Sequence, residues 1–333
     1  MARAIAGIQA QDARAGRLAF RSRSRSATAA SVDRARTEER SIVRAWAMRG
    51  TIHLLNADDA AWMLPLFEPA AIAFSRRRLP QLGMDMPTVD RALATFGKAL
   101  RAGEPVARSE LAMRLASRGI ELTVETRIHI FRLAVAERVA CFGPDAGGEP
   151  CLIAPAAWFG QRPRIERAAA LEELARRYFK AFGPATEADY AGWAGLPLRD
   201  IRPGLAAIGA ELREYGEIGG RPAWTLGVGA RRAKAGTLRF LPGWDTYTMG
   251  YRDRDFFATP ELWKRVLVGG GVIKPIVLAD GVAVGLWRLE RKGRRLVVKL
   301  EPFAKLEAAM LDAIQAEVAD LGRFEGAEAE LAA

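Results

Sequence analysis

The apolar positions in the first two thirds of the chain recur at the spacing of helices, and the helical segments end at glycines. Residues 1–11 fit a helix, and residues 28–50 fit two short helices with Thr28 or Ser31 as the first N-cap. A strand is predicted to follow at 51–55. Helix, helix and strand in this order are typical of a winged-helix unit.

The same order of elements recurs twice further along the chain. Two copies share a Ser/Thr-Glu start, a glycine stop, a second helix and a glycine-containing hairpin. The predicted elements are helices beginning at Met86, Ser109 and Thr123, a strand at 150–153, helices beginning at Thr186 and spanning 196–212, and a hairpin at 217–226. Ser109 and Thr186 are the predicted N-caps of their helices. Such repetition favours tandem helix-turn-helix units with wings, although ordinary helical packing gives a similar pattern.

From about Gly236 the apolar period shortens to that of strands. Runs of alternating or continuous apolar residues are separated by turn signals at Asp280-Gly281 and Lys292-Gly293. An amphipathic helix at 306–322 and a polar tail follow. The predicted fold class is α+β, with tandem winged-helix units followed by a small C-terminal β-barrel or sheet.

Charge narrows the class of partner. The 333 residues contain 50 Lys and Arg against 39 Asp and Glu, which gives a net charge of +11. Residues 1–50 alone contain eleven arginines against four acids. Such a block attracts polyanions by releasing their counterions, which favours nucleic acid. Candidate phosphate contacts are Arg21, Arg23, Arg25, Arg76 and Arg77, although each alone is more often a solvated surface residue.

The chain lacks the residues of several other protein classes. Two cysteines and two histidines exclude a disulfide framework and a conventional zinc or His-rich metal site. No apolar run reaches the ~18 residues of a membrane span, and no phosphate-binding or hydrolase motif occurs. We therefore expect a monomeric cytoplasmic protein, associated with the nucleoid, that needs no metal and no cofactor.

Four segments carry a family resemblance: GIQAQD at 7–12, ERSIVRAWAMRGTIHLL at 39–55, LPGWDTYTMGYRDRD at 241–255 and VIKPIVLADGVAVGLWR at 272–288. They resemble the bacterial AlkZ-like/YcaQ-like family of tandem winged-helix proteins. Characterised members of that family are DNA glycosylases that excise N7-alkylated purines and unhook interstrand crosslinks. The resemblance implies three winged-helix units, a C-terminal β-barrel and double-stranded, alkylated or crosslinked DNA as the partner.

The resemblance also sets the expected domain boundaries. We expect winged-helix units at 1–80, 81–160 and 161–235, and a barrel-like domain with a closing helix at 236–333. Members of the family usually carry another helical segment before the position of Gly7. The first unit is therefore expected to be truncated at its N-terminus.

Family glycosylases use a Gln-x-Gln or Gln-x-Asp motif, which maps here onto Gln9 and Gln11 as catalytic residues. A carboxamide is not a base, but its oxygen accepts a hydrogen bond from water and orients it. An N7-alkylguanine is already cationic and leaves without a proton donor, so positioned water is the main requirement. Gln9 and Gln11 share one side only if the segment is extended. Asp12 is either a stabiliser of the sugar cation or a helix-surface acid.

Three further residues are candidate DNA contacts with a structural alternative. His53 on the predicted strand is either a hydrogen-bonded core histidine or a DNA contact. Tyr251 and Arg254 lie in the segment that most resembles the family, where interleaved tyrosines and arginines stack on bases and grip phosphate. They serve equally well to lock the barrel to the winged helices.

Two functional hypotheses follow. The first is a monofunctional DNA glycosylase that hydrolyses the N-glycosidic bond of N7-alkylated purines or unhooks interstrand crosslinks. The second is a non-enzymatic tandem winged-helix protein that regulates transcription or shields damaged DNA. Release of a base from alkylated duplex DNA distinguishes the two hypotheses.

Overall fold

The computed structural model describes residues 1–160, 165–227 and 235–332. In these ranges three small three-stranded sheets with flanking helices precede one five-stranded sheet. The predicted change from helical segments to a strand-rich C-terminal part is confirmed. No helix in the described ranges combines the length and the apolar character that crossing a bilayer requires.

The first sheet has the strand order β1-β3-β2. Its elements are β1 (Ile8–Gln9), α1 (Ala13–Arg21), α2 (Ala29–Thr37), β2 (Ile42–Trp46), β3 (Ile52–Asn56) and the long helix α3 (Ala57–Gln81). The predicted helix at 1–11 is wrong, because Gly7 has a φ of +109° and the chain then pairs with β3. The predicted second helix before Gly50 is also wrong. Val43 and Ala45 are buried while their neighbours are not, which is the period of a strand.

Helix α3 is a 25-residue element that the sequence reading missed. It contains Pro65, Pro69 and Pro80, which interrupt helical hydrogen bonding and mark a break in sequence patterns. Burial of residues such as Trp62 and Phe67 maintains the helix despite these prolines. It contacts helices of both following units and so connects the three parts.

The second sheet has the order β4-β6-β5. Its elements are α4 (Met86–Ala99), β4 (Val106–Ala107), α5 (Arg108–Ala116), α6 (Val124–Ala136), β5 (Cys141–Phe142), β6 (Cys151–Ile153) and α7 (Pro155–Phe159). The predicted helix start at Thr123 is confirmed, and Thr123 caps α6 by accepting from the backbone N–H of Thr126. The predicted cap at Ser109 is wrong, because its N–H and hydroxyl both donate to Glu149 and Ala107 occupies the N-cap.

The third sheet has the order β7-β9-β8. Its elements are α8 (Arg167–Phe182), β7 (Ala185–Thr186), α9 (Glu187–Ala194), α10 (Leu198–Ala207), β8 (Leu212–Ile218) and β9 (Arg221–Leu226). The predicted cap at Thr186 is confirmed as a reciprocal capping box with Asp189. The sequence predicted no helix at the position of α8.

The C-terminal sheet has the order β10-β11-β12-β13-β14. Its elements are β10 (Leu238–Leu241), α11 (Thr246–Met249), α12 (Pro260–Val266), β11 (Ile276–Ala279), β12 (Val282–Lys292), β13 (Arg295–Pro302), α13 (Ala308–Glu325) and β14 (Glu328–Leu331). Both predicted turns separate strands of this sheet. The predicted polar tail is wrong, because β14 pairs in parallel with β13.

The first sheet lies between two hydrophobic cores. Val43, Ala45 and Leu55 pack in one core with α3 and the third unit. Ile8 and Leu54 pack in another core with the C-terminal sheet and α13. Strands β1 and β3 are therefore fixed from both sides, which makes them a rigid base for functional side chains.

Candidate active site

Gln9 and His53 are directly opposed in the antiparallel pair of β1 and β3. Opposed residues project their side chains from the same face of a sheet. Gln9 is 4% exposed, and its Oε1 is buried without a hydrogen-bond donor among the described residues. A buried, unpaired acceptor costs free energy, so this atom marks a position for a water or a substrate group.

His53 is a neutral imidazole. Its Nδ1 lies 3.0 Å from the carbonyl oxygen of Thr51, so Nδ1 donates and Nε2 is left as an acceptor. Burial first and the positive charge of Arg49 second lower the pKa of His53 to about 3, against the opposing effect of the Thr51 hydrogen bond. At neutral pH this histidine supplies no proton to a leaving group.

Gln11 lies at the edge of the same segment. Its side chain is exposed, and its Oε1 accepts from the backbone N–H of Ile52 at 3.2 Å. This contact holds the carboxamide oxygen on the backbone of β3. Asp12 caps α1 by accepting from the N–H of Ala15 at 2.8 Å, which is the helix-surface alternative for this acid.

Arg49 is the residue beside this pair that sequence reasoning missed. It lies in the 3-10 turn Met48–Gly50 between β2 and β3, with a φ of +55°. Its Nη1 donates to the carbonyl oxygen of Trp193, and its Nε is buried without a partner among the described residues. Burial first and the positive charge of Arg254 second lower the pKa of Arg49 to about 10. The only sequence signal is an arginine directly before a glycine in a hairpin turn.

Tyr251 and Arg254 make contacts inside the protein. The hydroxyl of Tyr251 donates to the carbonyl oxygen of Phe182 at 2.8 Å, and burial raises its pKa. Arg254 donates from Nε to the carbonyl oxygen of Thr248 at 2.9 Å and lies 4.9 Å from the ring centre of Trp263. The Tyr251 contact is that of the locking alternative, because Phe182 belongs to the third unit, whereas both Arg254 contacts lie within the C-terminal part.

The structure places Arg21 and Arg23 differently from the predicted phosphate contacts. The Arg21 side chain is 1% exposed and is held by Glu317 at 2.9 Å and Asp320 at 3.0 Å. Arg23 forms a bidentate ion pair with Asp245, at 2.8 and 2.5 Å. Because their donors face carboxylates of the C-terminal part, both arginines join α1 to that part.

The other three predicted arginines are nearer to solvent. Arg25 and Arg77 are exposed, and the guanidinium of Arg77 lies 6.0 Å from the ring centre of Phe74. Arg76 donates to Glu137 at 2.5 Å, and this hydrogen bond raises the pKa of the arginine. Arg25 and Arg77 therefore remain available to a phosphate, whereas Arg76 is already paired.

No group of three or more His, Cys, Asp or Glu side chains in the described ranges is arranged to hold a metal ion. The cysteines Cys141 and Cys151 are both buried as free thiols. Burial raises the pKa of the Cys141 thiol to about 12, so it stays protonated at neutral pH. The polar groups near β1 and β3 that the site offers for chemistry include amides, a neutral imidazole, a guanidinium and the carboxylate of Asp12, which caps α1.

Comparison with known proteins places this geometry in context. A family model described as DNA glycosylase AlkZ-like matches residues 2–324. The interstrand DNA cross-link repair glycosylase of Streptomyces sahachiroi is 28% identical over 339 aligned residues, which cover 97% of this chain and 89% of that protein. The solved structure of the Streptomyces sahachiroi DNA glycosylase AlkZ superposes with a TM-score of 0.78 at 26% identity, covering 99% of this chain and 91% of that one.

Proposed function

Because the chain belongs to the family of AlkZ-like DNA glycosylases, we propose that it hydrolyses the N-glycosidic bond of N7-alkylated purines in double-stranded DNA. It is an enzyme of the DNA glycosylase class. The name of its Streptomyces relative supports extending the substrates to interstrand crosslinks. The non-enzymatic alternative is not favoured by these relatives.

One observation carries the proposal: the Oε1 of Gln9 is a buried acceptor without a partner among the described residues, opposite a neutral His53. A water held by Gln9 is oriented for attack on C1′ of the deoxyribose. The breaking C1′–N9 bond leaves its electron pair on the purine, whose positive charge is thereby neutralised. The water oxygen then bonds to C1′ and its proton passes to solvent. Gln11 acts beside it in positioning the water or the sugar.

We further infer that the three small sheets and their helices are winged-helix units, with the boundaries 1–80, 81–160 and 161–235. Supporting this, α5 and α6 are consecutive helices before the β5–β6 pair, and Val124, Arg127 and Ile128 are exposed on α6. The protein is proposed to act as a monomer on the nucleoid. Arg25 and Arg77 are the proposed phosphate contacts, because Arg21, Arg23 and Arg76 already face carboxylates.

Base release from a duplex with one N7-methylguanine tests the proposal. The Gln9→Ala/Gln11→Ala double variant should lose base release while it still binds the duplex, because the carboxamides position water rather than hold DNA. Gln315→Ala, an exposed glutamine on α13, is the matched control and should release base at the wild-type rate. Equal release by the double variant and wild type would contradict the assigned roles.

A second substrate tests the wider range. A duplex with one N7–N7 interstrand crosslink should be converted to separable strands by wild type and not by the Gln9→Ala/Gln11→Ala variant. Release of N7-methylguanine without separation of the crosslinked strands would restrict the enzyme to simple alkylated purines. Tight DNA binding without release from either substrate would favour a shielding role.

A further inference from the structure

A cavity of about 410 Å³ opens beside the Met48–Gly50 turn. Its walls come from that turn, from α3, from α6 and from the residues after α9. The polar lining consists chiefly of Arg49 and Arg132, and much of the remainder is apolar, including Trp46 and Phe74. Its volume lies within the range of roughly 300–1,000 Å³ that is typical of ligand pockets.

Both arginines in this cavity lack a carboxylate partner among the described residues. Arg132 has a buried, unpartnered Nε, and Arg49 has the same. Burial lowers the pKa of Arg132 as it lowers that of Arg49. Glu68 also lines the cavity, but Arg138 holds it in a bidentate pair at 2.9 and 3.0 Å. The cavity therefore carries an uncompensated positive charge.

Several other partly buried arginines in the described ranges have a carboxylate partner. Arg23 pairs with Asp245, Arg44 approaches Asp145 at 3.3 Å, and Arg138 pairs with Glu68. A partly buried guanidinium without a counter-ion is unfavourable, and an anion in the cavity would offset that cost. Arg108 and Arg254 also lack a carboxylate partner in the described ranges, but Arg49 and Arg132 line one cavity together, which points to an external anion there.

The shape of the cavity suits a phosphodiester. Arg132 lies 5.5 Å from the ring centre of Phe74, which is 41% exposed, so charge and an accessible aromatic face adjoin. The guanidinium of Arg132 also occupies the place where a Cβ of residue 50 would lie, and only glycine leaves that space open. Guanidinium groups match phosphate oxygens in geometry, and the ring offers an apolar surface for a deoxyribose.

We propose that the cavity between Arg49 and Arg132 binds one backbone phosphate of the DNA, with the adjoining sugar against Phe74. The ligand rests on the proposed function, since DNA is the substrate there. The turn that carries Arg49 continues directly into β3, where Ile52 is hydrogen-bonded to Gln11. A phosphate bound by Arg49 thus fixes the strand relative to the carboxamides.

Coupling between one phosphate and Arg132 tests the site. Neutral methylphosphonate linkages are placed singly along both strands of a duplex that carries one N7-methylguanine, and affinity is measured for wild type and Arg132→Gln. At one linkage, replacing the phosphate by methylphosphonate should weaken DNA binding by wild type and leave the affinity of Arg132→Gln unchanged. Arg132→Gln should also lower the slope of log affinity against log salt by about 0.9, the value for one neutralised phosphate. Arg132→Lys should retain most of that slope.

Arg202→Gln is the control for loss of one positive charge, since Arg202 is an exposed arginine paired with Glu187. It should show the same methylphosphonate profile as wild type. Arg49→Gln should lose sensitivity at the same linkage, and its thermal unfolding is recorded because Arg49 also holds Trp193. If Arg49→Gln and Arg132→Gln lose sensitivity to methylphosphonate at the same linkage, the cause is a shared binding site and not a general fold defect.

Additive effects of Arg132→Gln and methylphosphonate at every linkage would overturn the proposal. If the effects are additive and inorganic phosphate raises the melting temperature of wild type, the cavity binds a free anion and not a DNA phosphate. Failure of the glycosylase proposal has a different signature, namely absence of base release while the linkage coupling persists.

Discussion

Replacement of His53 by glutamine tests whether the imidazole of His53 is uncharged in the folded protein. Glutamine keeps a side-chain amide that can donate to the Thr51 carbonyl, and it removes the titrating ring. His53 is 2% exposed and its pKa is lowered from 6.5 to about 3, chiefly by burial. Below the unfolded pKa, the unfolded chain therefore binds a proton that the native chain refuses until about pH 3.

Because the unfolded chain binds this proton more tightly, the free energy of unfolding decreases as the pH falls. The loss begins near the unfolded value of 6.5 and continues towards the native value of about 3. With about 1.4 kcal/mol per pH unit and proton, the integrated loss between about pH 7 and pH 5 is roughly 2 kcal/mol for wild type. The His53→Gln variant lacks this contribution, so its stability should fall by that much less over the same interval.

Urea unfolding followed by tryptophan fluorescence at several pH values measures the difference. The comparison is sharp because the chain has only two histidines. His129→Gln is the matched control: burial also lowers the pKa of His129, but this residue is less buried, so its removal should change the pH dependence less. Equal pH dependence in wild type and His53→Gln would refute the buried neutral imidazole. The rate of base release by wild type should likewise show no titration near pH 6.5.

Further substitutions have defined outcomes. Arg21→Met leaves Glu317 buried without its main partner and should lower the free energy of unfolding by about 3 kcal/mol in urea titrations. Asp12→Ala removes the cap of α1 and should cost about 1 kcal/mol in the same titration while base release is retained, whereas loss of release at unchanged stability would assign Asp12 to catalysis. Gly50→Ala, at a φ of +67° and against Arg132, should weaken DNA affinity in a fluorescence anisotropy titration, and unchanged affinity would argue against a role for this turn.

Local signals explain which elements could be predicted. The capping box at Thr186 and the turn at Asp280-Gly281 depend on a few adjacent residues, so the sequence identifies them directly. Helix α3 and strand β2 depend on burial against distant segments, which no local pattern records. In α3 the packing overrides three prolines, and in β2 it overrides a helix-like spacing.

The same distinction applies to the candidate site. Gln9 and Gln11 were found through a motif. Pairing with β3 holds Gln9 extended, whereas Gln11 lies beyond β1 in a bend and is tied to β3 through its Oε1. Arg21 and Arg23 belong to an Arg/Ser run that is typical of solvated loops, yet their partners lie in the C-terminal part of the chain. Arg49 and Arg132 become neighbours only when two units pack together, so no motif marks their cavity.

On the proposed mechanism, Gln9 and His53 do not donate a proton to the leaving base, and this restricts the range of substrates. Neither Gln9 nor a neutral His53 protonates a departing base, so the glycosidic bond must already be activated by a positive charge on the purine. Unmodified purines and neutral lesions are then excluded by their chemistry rather than by their shape. Arg49 would repel such a cationic purine, because its charge already lowers the pKa of His53. A backbone phosphate bound by Arg49 and Arg132 offsets that repulsion. The positive charge of the arginines is therefore compensated only when the cationic purine is part of DNA.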